Sequence, residues 1–435
     1  MKKCYTYFLT MSFFLLFSPL VLAQYTSIPD AEFEQLLITE SIDSEGILDG
    51  QVLTSDVAVV TSLDISSTFI TDLSGIQAFS SLITLEALGQ SNLINIDLSG
   101  LAALESINFW LCTNVNALNV TGCSNLKNLN ISFTAIPTLD LSTNNLLEEI
   151  YFERASNLSD LDLSGKTNLT ILYGDESAIE TIDITGCSAL STISINETSV
   201  QALDLSGNTA ITSLGFYRTG LRTVNLANCT NLTSLDFTWN NYINSIDLSN
   251  CISLTDIGFL DSSSISALDT DDLLNLETLT FDNAGVTSLD LRNNTNLTTL
   301  GFYDSSISNL DLRNGNNTSL DLTVYFTNID CISVDDVDYA TNNWPDVVVY
   351  STDCSTLSLN EIQTESLKLY PNPSSEFLQI SGLKQQVPYT IFDSHGKNVV
   401  SGVMQPDEKI AINKLHSGLY FFQIDQLTPF KFIKK

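Results

Sequence analysis

The chain has 435 residues, with 51 acidic against 17 basic side chains and a net charge of −34 at neutral pH. A surface this acidic repels phosphate backbones, which excludes nucleic acid as a partner. Its two histidines, His395 and His416, leave histidine-based proton transfer little to work with.

Residues 1–23 read MKKCYTYFLTMSFFLLFSPLVLA: two lysines, a short apolar run and a small residue at Ala23 before Gln24. This is the pattern of a secretory signal peptide. The run is too short for a membrane anchor, and no membrane span is expected once the signal is removed. Residues 24–60 break the pattern that follows. Asp30 can cap a short helix with Phe33, Leu36 and Leu37 on one face. We read 24–60 as an N-terminal cap.

Residues 211–229 read ITSLGFYRTGLRTVNLANC and residues 297–315 read LTTLGFYDSSISNLDLRNG, almost the same phrase 86 positions apart. The underlying unit is two apolar residues three apart, one outward residue, and another apolar residue. One half of each unit reads L-x-x-L-D-L-S. Its outward residue falls at Asp97, Asn119, Asp140, Asp162, Asp183, Asp204, Asn225, Asp247, Asp269, Asp290 and Asp311. The step is roughly 21.4 residues, a leucine-rich-repeat period, so the two phrases lie four coils apart. The other half ends in Phe at Phe109, Phe152, Phe216, Phe237, Phe259, Phe281 and Phe302. In-out-in alternation is strand periodicity. Two such segments per coil predict two parallel ladders with rungs about 4.8 Å apart. The six core residues of one coil cannot offset the entropy of ordering it, so stability must come from stacking.

LRTVNLANCTNL (221–232) and IETIDITGCSAL (179–190) follow the signature L-x-x-L-x-L-x-x-N/C-x-L. On these motifs residues 61–327 resemble a leucine-rich-repeat solenoid of the kind found in secreted Bacteroidetes proteins. The resemblance implies a mostly β fold of 21–22-residue coils. Fold alone does not assign a ligand.

Residues 328–360 break the repeat again and read as a C-terminal cap and linker. A short helix near 335–342, then Trp344 and the VVVY strand, would close the solenoid. Cys331 and Cys354 bracket this cap, and an exported protein permits a disulfide between them. Cys123, Cys187, Cys229 and Cys251 take the C position of the signature, where Cys acts as a small buried hydrophobe. Cys229 and Cys251 sit one coil apart; a bridge is open to them, although a reduced ladder is the expectation.

Residues 361–435 hold eight lysines against seven acids, whereas 24–360 carry −37. So sharp a charge break marks a domain boundary. Short alternating runs between Pro-Asn-Pro, Ser-His-Gly and His-Ser-Gly turns predict a small β-sandwich. The Y-P-N-P opening, the D-x-x-G-K turn at Asp393–Lys397, the L-x-x-G-x-Y strand at Leu415–Tyr420 and the final lysines resemble the C-terminal sorting domain of the type IX secretion system. That resemblance implies the secretion machinery as a partner through residues 361–435. It also implies display at the outer surface of a Gram-negative bacterium.

The repeats carry no H-E-x-x-H, G-x-S-x-G or phosphate loop, and a solenoid wall is a poor place for a deep pocket. We expect no enzyme and no required cofactor. The aspartate row invites one alternative: Asp162, Asp183, Asp204 and Asp247 could form a calcium row, and closely spaced like charges should resist full ionisation. The other half varies from coil to coil: Trp110, Tyr151, Glu153, Tyr173, Asp175, Tyr217, Arg218, Trp239, Tyr303 and Asp304. Mixed aromatics and charges suit recognition, so this row is the expected ligand-binding face for an extracellular protein or glycan, in adhesion or recognition. The competing expectation is a structural surface component without a specific ligand; a surface hydrolase is remote.

Overall fold

The computed structural model describes residues 24–66, 68–344, 349–354, 368–383, 386–393, 396–424 and 430–435. The expected signal peptide lies outside these residues. The chain forms two compact units that divide at residue 349.

The first unit is a β-solenoid of about 13 turns, with parallel ladders about 22 residues apart. Most coils contribute a short strand to each of two ladders; the segments ending at Asp140 and Asp269 contribute none. The aromatic ladder is a seven-stranded sheet from Ser62–Asp64 to Thr192–Ser194, continued by a six-stranded sheet from Ser213–Tyr217 to Asp321–Tyr325. All pairs in both sheets are parallel and in register, so Phe216 lies beside Phe237, Phe237 beside Phe259, and onward through Phe281 and Phe302 to Val324. These five inward rings stack at centroid distances of 5.3 to 5.6 Å. The aspartate ladder is carried by shorter parallel sheets, such as Ala202–Asp204 with Thr223–Asn225 and Ser245–Asp247.

The core between the ladders is almost wholly Leu, Ile, Val and Phe. Where the chain turns, carbonyls point inward, and small buried polar side chains meet them. Sγ of Cys123, Cys187, Cys229 and Cys251 each donates to a carbonyl at 3.1 to 3.2 Å. Asn144, Asn208 and Asn294 do the same with their amides. At the opposite corner Cys112, Thr134, Ser177, Thr198, Asn240 and Ser262 repeat the device. The N/C of the repeat signature is therefore a donor position, because a buried carbonyl without a partner is costly. Cys229 and Cys251 are both free thiols.

A short capped helix lies at each end of the repeats. Asp30 caps the helix Ala31–Thr39, accepting from the N–H groups of Glu32 and Phe33. Its second oxygen takes Thr71 and Asp72, tying the cap to the first coils. Phe33 and Leu37 are buried, but Leu36 is only half-buried, and the third buried residue is Glu34. The Glu34 carboxylate accepts from the N–H groups of Asp49, Gly50 and Gln51. At the other end the helix Val337–Asn343 is capped by Asp336. Trp344 is buried after it and donates Nε1–H to the Leu320 carbonyl. Cys331 and Cys354 are disulfide-bonded.

The second unit is antiparallel. One sheet orders Asn398–Met404, Val387–Asp393, Gly418–Ile424 and Phe430–Lys434; a smaller one pairs Lys368–Tyr370 with Phe377–Ser381 and Ile410–Ala411. Leu378, Ile380, Ile391, Phe422 and Phe432 are central in its core. The Asp393–Lys397 turn closes through Asp393 Oδ1, which accepts the Lys397 N–H. Asn372, between its two prolines, donates to the Lys431 carbonyl and accepts from the Ile433 N–H. The Y-P-N-P opening and the terminal lysine-rich strand are thus one structural element.

Candidate functional site

The two ladders differ in what their outward side chains are already doing. On the aspartate ladder all eleven Asp and Asn residues of the row accept, through Oδ1, the N–H of the residue two positions on, at 2.8 to 3.2 Å. This is an Asx turn repeated down the solenoid. It explains why Asn substitutes freely for Asp: either supplies the oxygen at Cγ. These hydrogen bonds also decide the ionisation. Donation from Ser142, Ser164 and Ser249 holds Asp140, Asp162 and Asp247 below the ordinary carboxylate range. The Arg292 side chain does the same for Asp290. Repulsion along the row therefore does not govern these four, contrary to the expectation from spacing alone. Arg292 and Arg313 pair with Asp290 and Asp311 at 2.6 and 2.5 Å. The ladder lines two open grooves of about 500 and 720 Å³, floored by residues such as Asp204, Thr223 and Asn225 in one and Asp97, Asn95 and Asn119 in the other. Among the described residues no cluster of three or more His, Cys, Asp or Glu is placed to hold a metal ion.

The aromatic ladder ends each strand in a left-handed corner. Eleven successive corner residues have φ between 49° and 63°: Leu111, Phe133, Arg154, Glu176, Glu197, Arg218, Trp239, Asp261, Asn283, Asp304 and Phe326. The corner N–H reaches across to the next coil, as from Trp239 to the Leu260 carbonyl at 2.7 Å and from Asp261 to the Asp282 carbonyl at 2.8 Å. At the aspartate corner the left-handed residue is usually glycine, as at Gly100, Gly122, Gly165, Gly186, Gly207 and Gly315. Large side chains in this conformation cost free energy that glycine avoids.

The ten expected face residues fall into adjacent columns rather than one row. Tyr151 and Tyr173 share a column, stacked at 5.7 Å, and that column continues to Ser194. Tyr217 and Tyr303 lie two residues further along their strands, in a column shared with Thr238, Leu260 and Asp282. Arg218, Trp239 and Asp304 are corner residues. Glu153 precedes the corner at Arg154, and Asp175 precedes the corner at Glu176. Asp175 is engaged within the fold, accepting from Ser194 Oγ and the Asn196 N–H.

Besides the Tyr151–Tyr173 stack, three aromatic groups result. Trp110 meets Phe133 edge-on at 5.8 Å, and Arg154 lies over Phe133 while pairing with Glu176 at 2.7 Å. Tyr217 stacks on Trp239 at 5.4 Å, with the Arg218 guanidinium 4.9 Å from the indole centroid. Tyr303 meets Tyr325 and Phe326, and Phe326 is 75% exposed. Between the last two groups the ridge is interrupted by Asp261, Asp282 and Asn283. Asp282 is raised above the ordinary carboxylate range by burial and by its neighbours Asp261 and Asp304. Phe133, Arg154, Tyr242, Asp261, Tyr325 and Phe326 were not among the expected face residues. Counting two residues beyond each inward Phe finds several of them: Phe152 leads to Arg154, Phe259 to Asp261.

Fold and repeat together define a β-solenoid of the leucine-rich-repeat type, followed by a separate antiparallel unit. Residues 368–435 match the secretion system C-terminal sorting domain family. No curated protein matches the chain. Among solved structures it is similar to the functional domain of InlJ from Listeria monocytogenes, described as including a cysteine ladder. That match has 17% identity, covers 92% of this chain and 96% of that one, and has a TM-score of 0.34. It is also similar to the internalin InlF from Listeria monocytogenes, at 18% identity, 74% and 95% coverage and a TM-score of 0.42. A leucine-rich-repeat protein of Leptospira interrogans gives 14% identity, 65% and 91% coverage and a TM-score of 0.28. No helix among the described residues is long and apolar enough to cross a membrane.

Proposed function

We propose that this protein is a surface-displayed binding protein, delivered by the type IX pathway through its C-terminal unit, whose aromatic corner recognises an extracellular protein or glycan. The observation that carries the reading is the contrast between the ladders. The aspartate row spends its side chains on closing turns. The aromatic corner holds Trp, Phe, Leu and Arg at positions where glycine would be easier on the backbone, several of them are exposed, and Tyr303 and Tyr325 are exposed on the adjoining strands. Large rigid aromatics and Arg are the side chains that dominate recognition surfaces.

Protein and glycan arrays probed with the mature chain supply the ligand. Tyr217→Ala with Trp239→Ala should then weaken binding by about 2 kcal/mol or more, while Asp204→Asn with Asp247→Asn leaves it intact. The reverse pattern places recognition on the aspartate grooves, and no saturable ligand at all favours a purely structural surface role. Deleting residues 361–435 should leave the solenoid in the periplasm; surface labelling of the truncated protein on intact cells would refute the export route.

A further inference from the structure

We propose that the notch between the Trp239 and Asp261 corners is a subsite for one ring of a neutral carbohydrate. The proposal deepens the binding reading above and rests on it. The notch is open, about 310 Å³, and lined by Arg218, Thr219, Trp239, Asn241, Tyr242 and Asp261.

The geometry follows from the corner column. Trp239 is backed on its N-terminal side by Tyr217 and Arg218, at 5.4 and 4.9 Å. On the other side the next corner residue is Asp261, whose short side chain cannot cover an indole. Trp239 is accordingly 41% exposed, and Tyr242 beside it is 59% exposed. A sugar ring has apolar C–H faces and a rim of hydroxyls that both donate and accept. Two exposed aromatic rings match the faces. A guanidinium, an amide and a carboxylate match the rim with donors and acceptors of fixed geometry.

The backbone beneath the notch and the Asp261 carboxylate are held before any ligand arrives. Arg218, Trp239 and Asp261 all sit at φ of 52° to 58°, each fastened to the next coil by its N–H. Asn283 Nδ2 donates to Asp261 Oδ1 at 2.9 Å. Such preorganisation lowers the entropy cost of binding a small polar ligand. Charge narrows the class: a body carrying −37 between residues 24 and 360 disfavours acidic glycans.

The test titrates the mature full chain with neutral oligosaccharides of glucose, mannose, xylose, galactose and N-acetylglucosamine, with hyaluronate and heparin as acidic comparisons. Calorimetry and saturation-transfer NMR report binding. At least one neutral oligosaccharide should saturate below about 10 mM, and the acidic polymers should not. Trp239→Ala and, separately, Tyr242→Ala should each lower affinity tenfold or more. Asp204→Asn with Asp247→Asn should leave it unchanged. Tyr242 is exposed, so its variant tests the site even if Trp239→Ala disturbs the fold. Saturation by no neutral sugar, or binding indifferent to both variants, overturns the proposal. A protein ligand that depends on Tyr217 and Trp239 while every sugar stays silent leaves the binding reading standing and removes this one.

Discussion

Phe152 occupies the space that a side chain at Gly174 would need. A Cβ built on Gly174 would lie 2.1 Å from Cε2 of Phe152. At Gly174 the inward column has no side chain at all, and the ring of the preceding coil leans into the gap. Gly174→Ala should destabilise the solenoid by about 1–3 kcal/mol through overpacking. Adding Phe152→Leu should recover part of that loss, read from denaturation midpoints in a double-mutant cycle. Additive losses would mean that the two residues are not sharing one space.

Such compensation marks the limit of what the sequence discloses. The period, both ladders, the Asp30 cap and the inward Phe positions are legible because each repeats a local rule. The Gly174 gap is visible as a missing Phe, but nothing in the string says which neighbour fills it. Glu34 is similar: helical spacing cannot reveal that three backbone N–H groups from residues 49–51 await a buried carboxylate. The binding face is half legible. Aromatic and charged residues announce variation, yet Tyr151 and Tyr217 look equivalent in the text and stand in different columns. Backbone φ is invisible at non-glycine positions, so the left-handed corner could not be read at all.

The Asx row predicts a difference between two substitutions at one site. Asp183→Asn keeps the oxygen that accepts the Thr185 N–H and should leave stability nearly unchanged. Asp183→Ala removes it and should cost about 1 kcal/mol. Equal effects would deny the turn its role. Calcium tests the rival use of the same row: at fixed ionic strength, millimolar calcium should leave the melting temperature unchanged. A saturable rise that Asp162→Asn with Asp183→Asn abolishes would restore the row as a cation site.

Acid should act on the two kinds of aspartate with opposite sign. Asp140, Asp162, Asp247 and Asp290 have lowered folded-state values. Their contribution is present above the unfolded value, about 4, and is lost as pH falls through the folded one. Asp282 is raised, so its ionised form weighs against the fold at neutral pH, and that burden lifts as pH falls. Asp282→Asn should therefore raise stability at pH 7 and bring no gain at pH 3. A larger gain at pH 3 would contradict the assignment.

The thiol row should be silent in the native protein. Burial raises Cys112, Cys123, Cys187 and Cys251 to about 11 and also raises Cys229. A thiol that is both buried and protonated is a poor nucleophile. Alkylation of the mature chain at pH 8 should label none of the five free cysteines. In denaturant without reductant it should label all five, with Cys331 and Cys354 appearing only after reduction. Native labelling of the row, or seven labels without reductant, would contradict this arrangement.

The left-handed corners allow backbone strain to be separated from side-chain function. At the aspartate corner Gly207 has φ 72°, and a Cβ placed there would touch nothing within 4 Å. Gly207→Ala therefore adds conformational strain without a clash and should cost about 1 kcal/mol. At the aromatic corner Glu197 carries that strain already, at φ 55°. Glu197→Gly relieves it, while the greater freedom of glycine in the unfolded chain takes back about 0.4–1 kcal/mol. The expected result is a change between zero and a small gain. Trp239→Gly should relieve the same strain but lose the indole's stacking with Tyr217 and, on the reading above, its ligand. A loss well above 1 kcal/mol in Glu197→Gly would show that the corner side chains stabilise the fold. The large residues there would then need no recognition role to explain them.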